Sequence, residues 1–98
     1  MIAKKVIVDF YKEHPDAKTA LEEWYKKTEK ADWDTFPALR QTFNSADNVG
    51  NRRVVFNVKG NNYRLVAVVL FKIKRIYIRF IGTHEEYDKL TADKIKTI

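Results

Sequence analysis

The sequence predicts an α+β domain in which N-terminal helices pack on a small antiparallel sheet and a short helix follows that sheet. Three observations predict it. Apolar residues keep helical spacing up to about residue 43 and alternate with period two from about residue 53. Gly60, Asn61 and Asn62 supply a tight turn inside the alternating region, and Thr83 with Glu86 supplies a helix start after it. Charge is also divided: residues 1–50 hold 8 basic and 9 acidic side chains and residues 51–98 hold 11 and 4, so the halves carry −1 and +7.

The elements follow in order. Ala3, Val6, Ile7, Phe10 and Tyr11 recur at helical spacing and stop at His14-Pro15, because a residue before proline is pushed out of the helical region. The β-branched run Val6-Ile7-Val8 would also suit a short opening strand. Pro15 fits the first position of a second helix, with Asp16 in its first turn and Ala17, Ala20, Leu21, Trp24 and Thr28 along one face. Asp34 or Thr35 caps a third helix whose Phe36, Leu39 and Phe43 face inward. Residues 44–51 read as a polar loop dense in turn formers.

Three strands follow, over 53–59, 63–71 and 75–81. Strict alternation sends Val54, Phe56 and Val58 one way and Val55, Asn57 and Lys59 the other. In the third strand it sets Ile76, Ile78 and Phe80 against Tyr77, Arg79 and Ile81. The middle strand is apolar on both sides, as a central strand should be. Asn57, Lys59, Arg64 and Arg79 are therefore expected to gather on the sheet face opposite the helices. Thr83 and Glu86 have the spacing of a capping box, which opens the terminal helix at His84.

Composition narrows the function. A chain of 98 residues with 45% hydrophobic side chains suits one domain spanning 1–98. With no cysteine and two histidines it offers neither disulfides nor a thiolate or His-rich metal cage. The N-terminus lacks the apolar run of a signal peptide and the run 65–71 is too short to span a bilayer, so a cytoplasmic protein with no membrane association is expected. Residues 51–82 contain eight Lys/Arg and no carboxylate. Such a one-sided positive field favours polyphosphate, and nucleic acid is the first partner to expect.

The residues beside this field suit metal-independent RNA cleavage. That chemistry needs a base for the 2′-hydroxyl proton, cations for the pentavalent phosphate and an acid for the leaving 5′-oxygen. His84, in the first turn of the terminal helix, is assigned as acid or base. Arg64 and Arg79 hold the phosphate, since a guanidinium binds two oxygens at once and stays charged. Lys59 supports them, and Tyr87, one turn after His84, positions the substrate or donates a proton. Asn57 faces the ligand, and Arg53, Arg75 and Asn61 join it as RNA-contacting residues, Asn61 serving chiefly the turn. No carboxylates stand in the strands to hold magnesium, so no metal and no cofactor are expected. His14, Trp24 and Trp33 read as structural.

The run Val55-Phe56-Asn57-Val58-Lys59-Gly60-Asn61-Asn62-Tyr63-Arg64-Leu65-Val66, then Tyr77-Ile78-Arg79, then Thr83-His84-Glu85-Glu86-Tyr87-Asp88 resemble the HigB toxins of bacterial toxin–antitoxin systems, a branch of the RelE-like superfamily. His14-Pro15-Asp16-Ala17, Trp24-Tyr25, Ala31-Asp32-Trp33 and Phe43-Asn44-Ser45-Ala46-Asp47 are similar to that family as well. The resemblance implies a microbial RNase-like fold. It also implies an mRNA interferase that cuts messages on translating ribosomes, neutralised by a HigA-type helix-turn-helix antitoxin. By the same resemblance Arg64 and Tyr87 match functional positions, and His84 falls where RelE itself has a catalytic arginine. Two lysines of RelE fall at Val55 and Asn57, which leaves the division of acid and base roles open. The alternatives are a non-cleaving RNA- or ribosome-binding module and a degenerate toxin acting only as its antitoxin's partner.

Overall fold

The structure, a computed structural model, describes residues 4–60 and 62–98. Ala3 and the Asn61 turn position lie outside them. Helix α1 (Lys4–Glu13) ends before a single 3-10 turn over Pro15–Ala17, which leads into α2 (Lys18–Glu29) and α3 (Phe36–Thr42). Strands β1 (Asp47–Gly50), β2 (Arg53–Val58), β3 (Tyr63–Leu70) and β4 (Arg75–Thr83) form one antiparallel sheet in the order β1-β2-β3-β4. Two short helices, α4 (His84–Asp88) and α5 (Ala92–Ile95), complete the chain.

The α+β architecture agrees with the sequence reading, and three details differ. The loop expected over residues 44–51 contains a fourth strand, β1, which pairs with β2 through Asp47↔Val55 and Asn48↔Val54. Asp47, Asn48 and Gly50 are polar or flexible and Val49 alone is apolar, which is no periodic signal, so only the partner strand makes them a strand. Val6, expected to face inward, is exposed, and Ile7 holds the buried position of α1. The alternation of β4 is broken at Arg79, where a bulge lets Ala67 pair with Ile78 and Val66 with Phe80. One extra residue inverts the faces beyond it, so Phe80 turns away from the helices and Ile81 toward them.

Helices α1 to α3 cover one face of the sheet. Ile7, Leu21, Trp24 and Leu39 meet Val54, Phe56, Val58, Tyr63, Leu65, Ala67, Val69 and Ile76 there. Trp24, Phe43 and Phe56 pack edge-on at its centre, with ring centroids 5.3 Å apart for Trp24–Phe56 and 5.1 Å for Phe43–Phe56. A smaller apolar cluster lies on the opposite face, where Val55, Val66 and Ile95 bury one another beside Val49, Phe80, Tyr87, Leu90 and Ile98. That explains why β3 is apolar on both sides: helices cover one face, and α4 with the C-terminal segment covers part of the other.

Thr35 caps α3 by accepting from the Ala38 backbone N–H. At the edge of the helix layer Asp16 accepts from the Tyr63 hydroxyl (2.6 Å) and from Lys59 Nζ (3.0 Å). His14 stacks on Phe10 nearby and meets Tyr63 edge-on, in keeping with a structural role. The Tyr63 hydrogen bond, followed by that of Lys59, holds the Asp16 carboxyl below its ordinary value of 3.8. A lowered folded-state value makes the contribution complete above that ordinary value and lost as pH falls through the lowered one. Asp16→Asn is therefore expected to flatten the acid limb of a stability-versus-pH curve, read by urea unfolding, while leaving its neutral-to-alkaline part parallel to the parent's.

Candidate active site

The sheet face away from the helices carries Arg53, Val55 and Asn57 from β2 and Arg64, Val66 and Val68 from β3. Tyr77, Arg79, Phe80 and Gly82 from β4 share it, as the pairing register requires. At its Tyr63 end, Asn57 lies directly across from Arg64, and Gly82 flanks Arg64 on the other side. The missing side chain of Gly82 matters here. A Cβ would lie 2.6 Å from the Phe80 ring and 3.0 Å from Glu86 Oε1, so glycine lets both fold back over the strand.

Glu86 then closes the capping box: its carboxylate accepts from Thr83 N (2.8 Å) while Thr83 Oγ1 accepts from Glu86 N (3.1 Å). The box starts α4 at the sheet's end, and His84 N donates to Asn62 O (2.9 Å), two residues before Arg64. The His84 ring is half exposed, and its Nδ1 lies 3.2 Å from Asp88 Oδ2. An Nδ1–H donated to that carboxylate leaves Nε2 as the outward nitrogen of the neutral ring. One turn on, Tyr87 packs beside Phe80 and Val66, with the Arg64 guanidinium carbon 5.9 Å from its ring centroid. Burial first, then the charge of Asp47, pushes the Tyr87 phenol above its ordinary value of 10.0 against the opposing pull of Arg64. That direction keeps the phenol in its protonated form at neutral pH.

Arg64, Tyr87 and Asn57 therefore share one end of the face, and His84 opens α4 beside it, tied there by its backbone bond to Asn62. Arg79 stands farther along it, about 10 Å away by strand geometry. Lys59 does not join them. Strand β2 ends at Val58, Lys59 takes a left-handed backbone (φ 51°), and its ammonium turns to Asp16 on the helix side. Alternation stops applying where the turn begins, and this is why the sequence placed it on the wrong face. Arg53 lies on the expected face but is engaged by the chain itself, donating to Ile98 O (2.7 Å) and Asn51 O (3.0 Å). Arg75 lies at the far end of β4, and Asn61 is outside the described residues.

Two residues that the sequence reading passed over belong to this end. Asp88 anchors the imidazole, and its i,i+4 spacing from His84 on a capped helix was the signal available for it. Asp47 reaches the face only through β1, opposite Val55, and brings a carboxylate to a sheet whose other strands have none. No local pattern announced it. Among the described residues no group of three or more His, Asp or Glu side chains is arranged to hold a metal ion.

The family model described as HigB_toxin, RelE-like toxic component of a toxin-antitoxin system, matches residues 17–90. This chain belongs to the HigB toxin family. The mRNA interferase toxin HigB of Escherichia coli (strain K12) is 36% identical over 94 residues, covering 94% of this chain and 90% of the relative. The mRNA interferase HigB of Shigella flexneri matches to the same extent, and that of Escherichia coli O6:H1 is 33% identical over 93 residues, covering 93% and 90%. The matched span of the HigB family runs from the turn before α2 to just past α4, so it includes Arg64, Arg79, His84 and Tyr87. Membership in a toxin–antitoxin family implies an antitoxin partner and a messenger RNA target. Among the described residues no helix is long and apolar enough to cross a membrane.

Proposed function

We propose that this chain is an mRNA interferase, an endoribonuclease that cuts messages on translating ribosomes in the cytoplasm and is silenced by a HigA-type helix-turn-helix antitoxin. The observation that carries the catalytic reading is the Arg64 guanidinium over the Tyr87 ring, one helical turn from His84. His84 Nε2 takes the 2′-hydroxyl proton, with Asp88 holding the ring through Nδ1. The 2′-oxygen attacks phosphorus while Arg64 neutralises the charge that gathers on the phosphoryl oxygens. The bond to the 5′-oxygen breaks, and the Tyr87 phenol protonates that oxygen as it leaves. Asn57 positions the strand, and Arg79 adds positive charge along its path.

This route balances without a metal and fixes the products as a 2′,3′-cyclic phosphate and a 5′-hydroxyl. Inducing the chain in a bacterial host and sequencing message ends, with and without a translation inhibitor, tests it. The expected result is new 5′-hydroxyl ends within coding regions that disappear when translation is blocked. Ends bearing 5′-phosphate, or messages left intact, would overturn the catalytic reading.

A further inference from the structure

The face that carries the candidate site is only partly covered. Segment 90–98 and α4 occupy its β1–β2 side and its Tyr63 end through Ile95, Ile98, Leu90 and Tyr87. A strip along β4 is left, and it holds Arg75, Tyr77 and Arg79. Tyr77 lies across from Val68 and is 37% exposed, one of three large hydrophobic side chains exposed to that degree among the described residues. The Arg79 guanidinium carbon lies 5.8 Å from its ring centroid, and Arg75 donates to its hydroxyl at 3.4 Å.

Neither arginine forms an ion pair with a carboxylate among the described residues, where Lys5, Lys59 and Lys74 all do. Two guanidinium groups without counter-charges around an exposed ring form an arrangement suited to a ligand with both a flat π-face and negative charge. Shielding of an edge strand would need the cations alone. Strand alternation sets Arg79 on the same face as Tyr77, and the bulge there keeps that face continuous toward the Arg64 end by turning Phe80 onto it.

We infer that Tyr77, framed by Arg75 and Arg79, is a base-stacking subsite for single-stranded RNA, a few nucleotides from the linkage held at Arg64. A base stacks on the Tyr77–Arg79 platform and the adjoining phosphates meet Arg75 and Arg79. The inference rests on the RNA-directed reading of the same face and names how the flanking strand is held. The ring does no chemistry, so its contribution lies in binding.

The test compares two labelled RNA octamers of equal phosphate number, octauridylate and its abasic counterpart, by fluorescence anisotropy at low salt. Stacking is worth about 1–3 kcal/mol per base, so the parent chain should prefer the base-bearing strand by about tenfold. Tyr77→Leu should bring both strands to the abasic affinity, and Tyr77→Phe should keep the preference. Arg75→Gln and Arg79→Gln should each lower the salt dependence by about one counterion. Undiminished preference in Tyr77→Leu, or none in the parent, would overturn the subsite. Sequencing the RNA that photo-crosslinks at position 77 on message-loaded ribosomes separates message from ribosomal RNA as the strand engaged. Because binding is read without cleavage, a chain that stacks bases but cuts nothing keeps the subsite and loses the proposed activity. One that cuts but fails the octamer test does the reverse.

Discussion

Replacing His84 with alanine is expected to slow message cleavage by about 10²- to 10⁴-fold, the loss that follows removal of one proton-transfer group. The fold should survive it. The side chain is 50% exposed and its Nδ1 meets Asp88 on its own helix, while α4 is started by Thr83 and Glu86 rather than by the histidine. Thermal melting should place the variant within about 0.5 kcal/mol of the parent, as for surface changes away from special features. Asp88→Asn should keep some activity, because it frees the ring to choose the wrong tautomer without removing it. A folded His84→Ala variant that cuts messages at the parental rate would remove His84 from the mechanism and leave Arg64 and Tyr87 to be tested without it.

Truncating Phe56 to alanine should have the largest effect on stability, about 3–5 kcal/mol for removing a buried ring and leaving its cavity. Phe56 is 1% exposed and touches both Trp24 and Phe43, so helix α2, the end of α3 and the central sheet all lose a contact at once. For a domain of this size, whose total stability is about 5–15 kcal/mol, such a loss corresponds to a fall in Tm of about 15 °C or more. Urea unfolding followed by Trp fluorescence reads it directly. Ile73→Ala, in the exposed β3–β4 turn, should change stability by less than about 0.5 kcal/mol and serves as the control. A Phe56→Ala variant as stable as that control would mean the aromatic cluster does not hold the two layers together.

Most of the fold was legible because its signals are local. The Thr35 cap, the apolar run of β3 and the Thr83–Glu86 box each act within a few residues, and the structure realises each of them, whereas Pro15 opens a separate 3-10 turn and α2 itself begins at Lys18. The misses are where a distant partner decides. Strand β1 exists because β2 pairs with it. The order of segment 90–98 depends on Ile95 entering the small cluster with Val55 and Val66, and on Asn51 and Arg53 bonding Lys96 and Ile98 across 45 residues of chain. A sequence period carries no trace of such bonds.

The sequence by itself determined the class of fold, the segregation of positive charge onto the sheet, and a histidine opening the helix that follows it. Only the tertiary structure decided which cations face the candidate site. Lys59 is drawn to Asp16 and Arg53 to the C-terminal segment, while the bulge at Arg79 sets Phe80 in place of Ile81 beside the cations that remain. The reason is physical. Charge and periodicity are properties of residue types along a chain, whereas the direction of a long cationic side chain is set by whichever acceptor folding brings within about 3 Å of it.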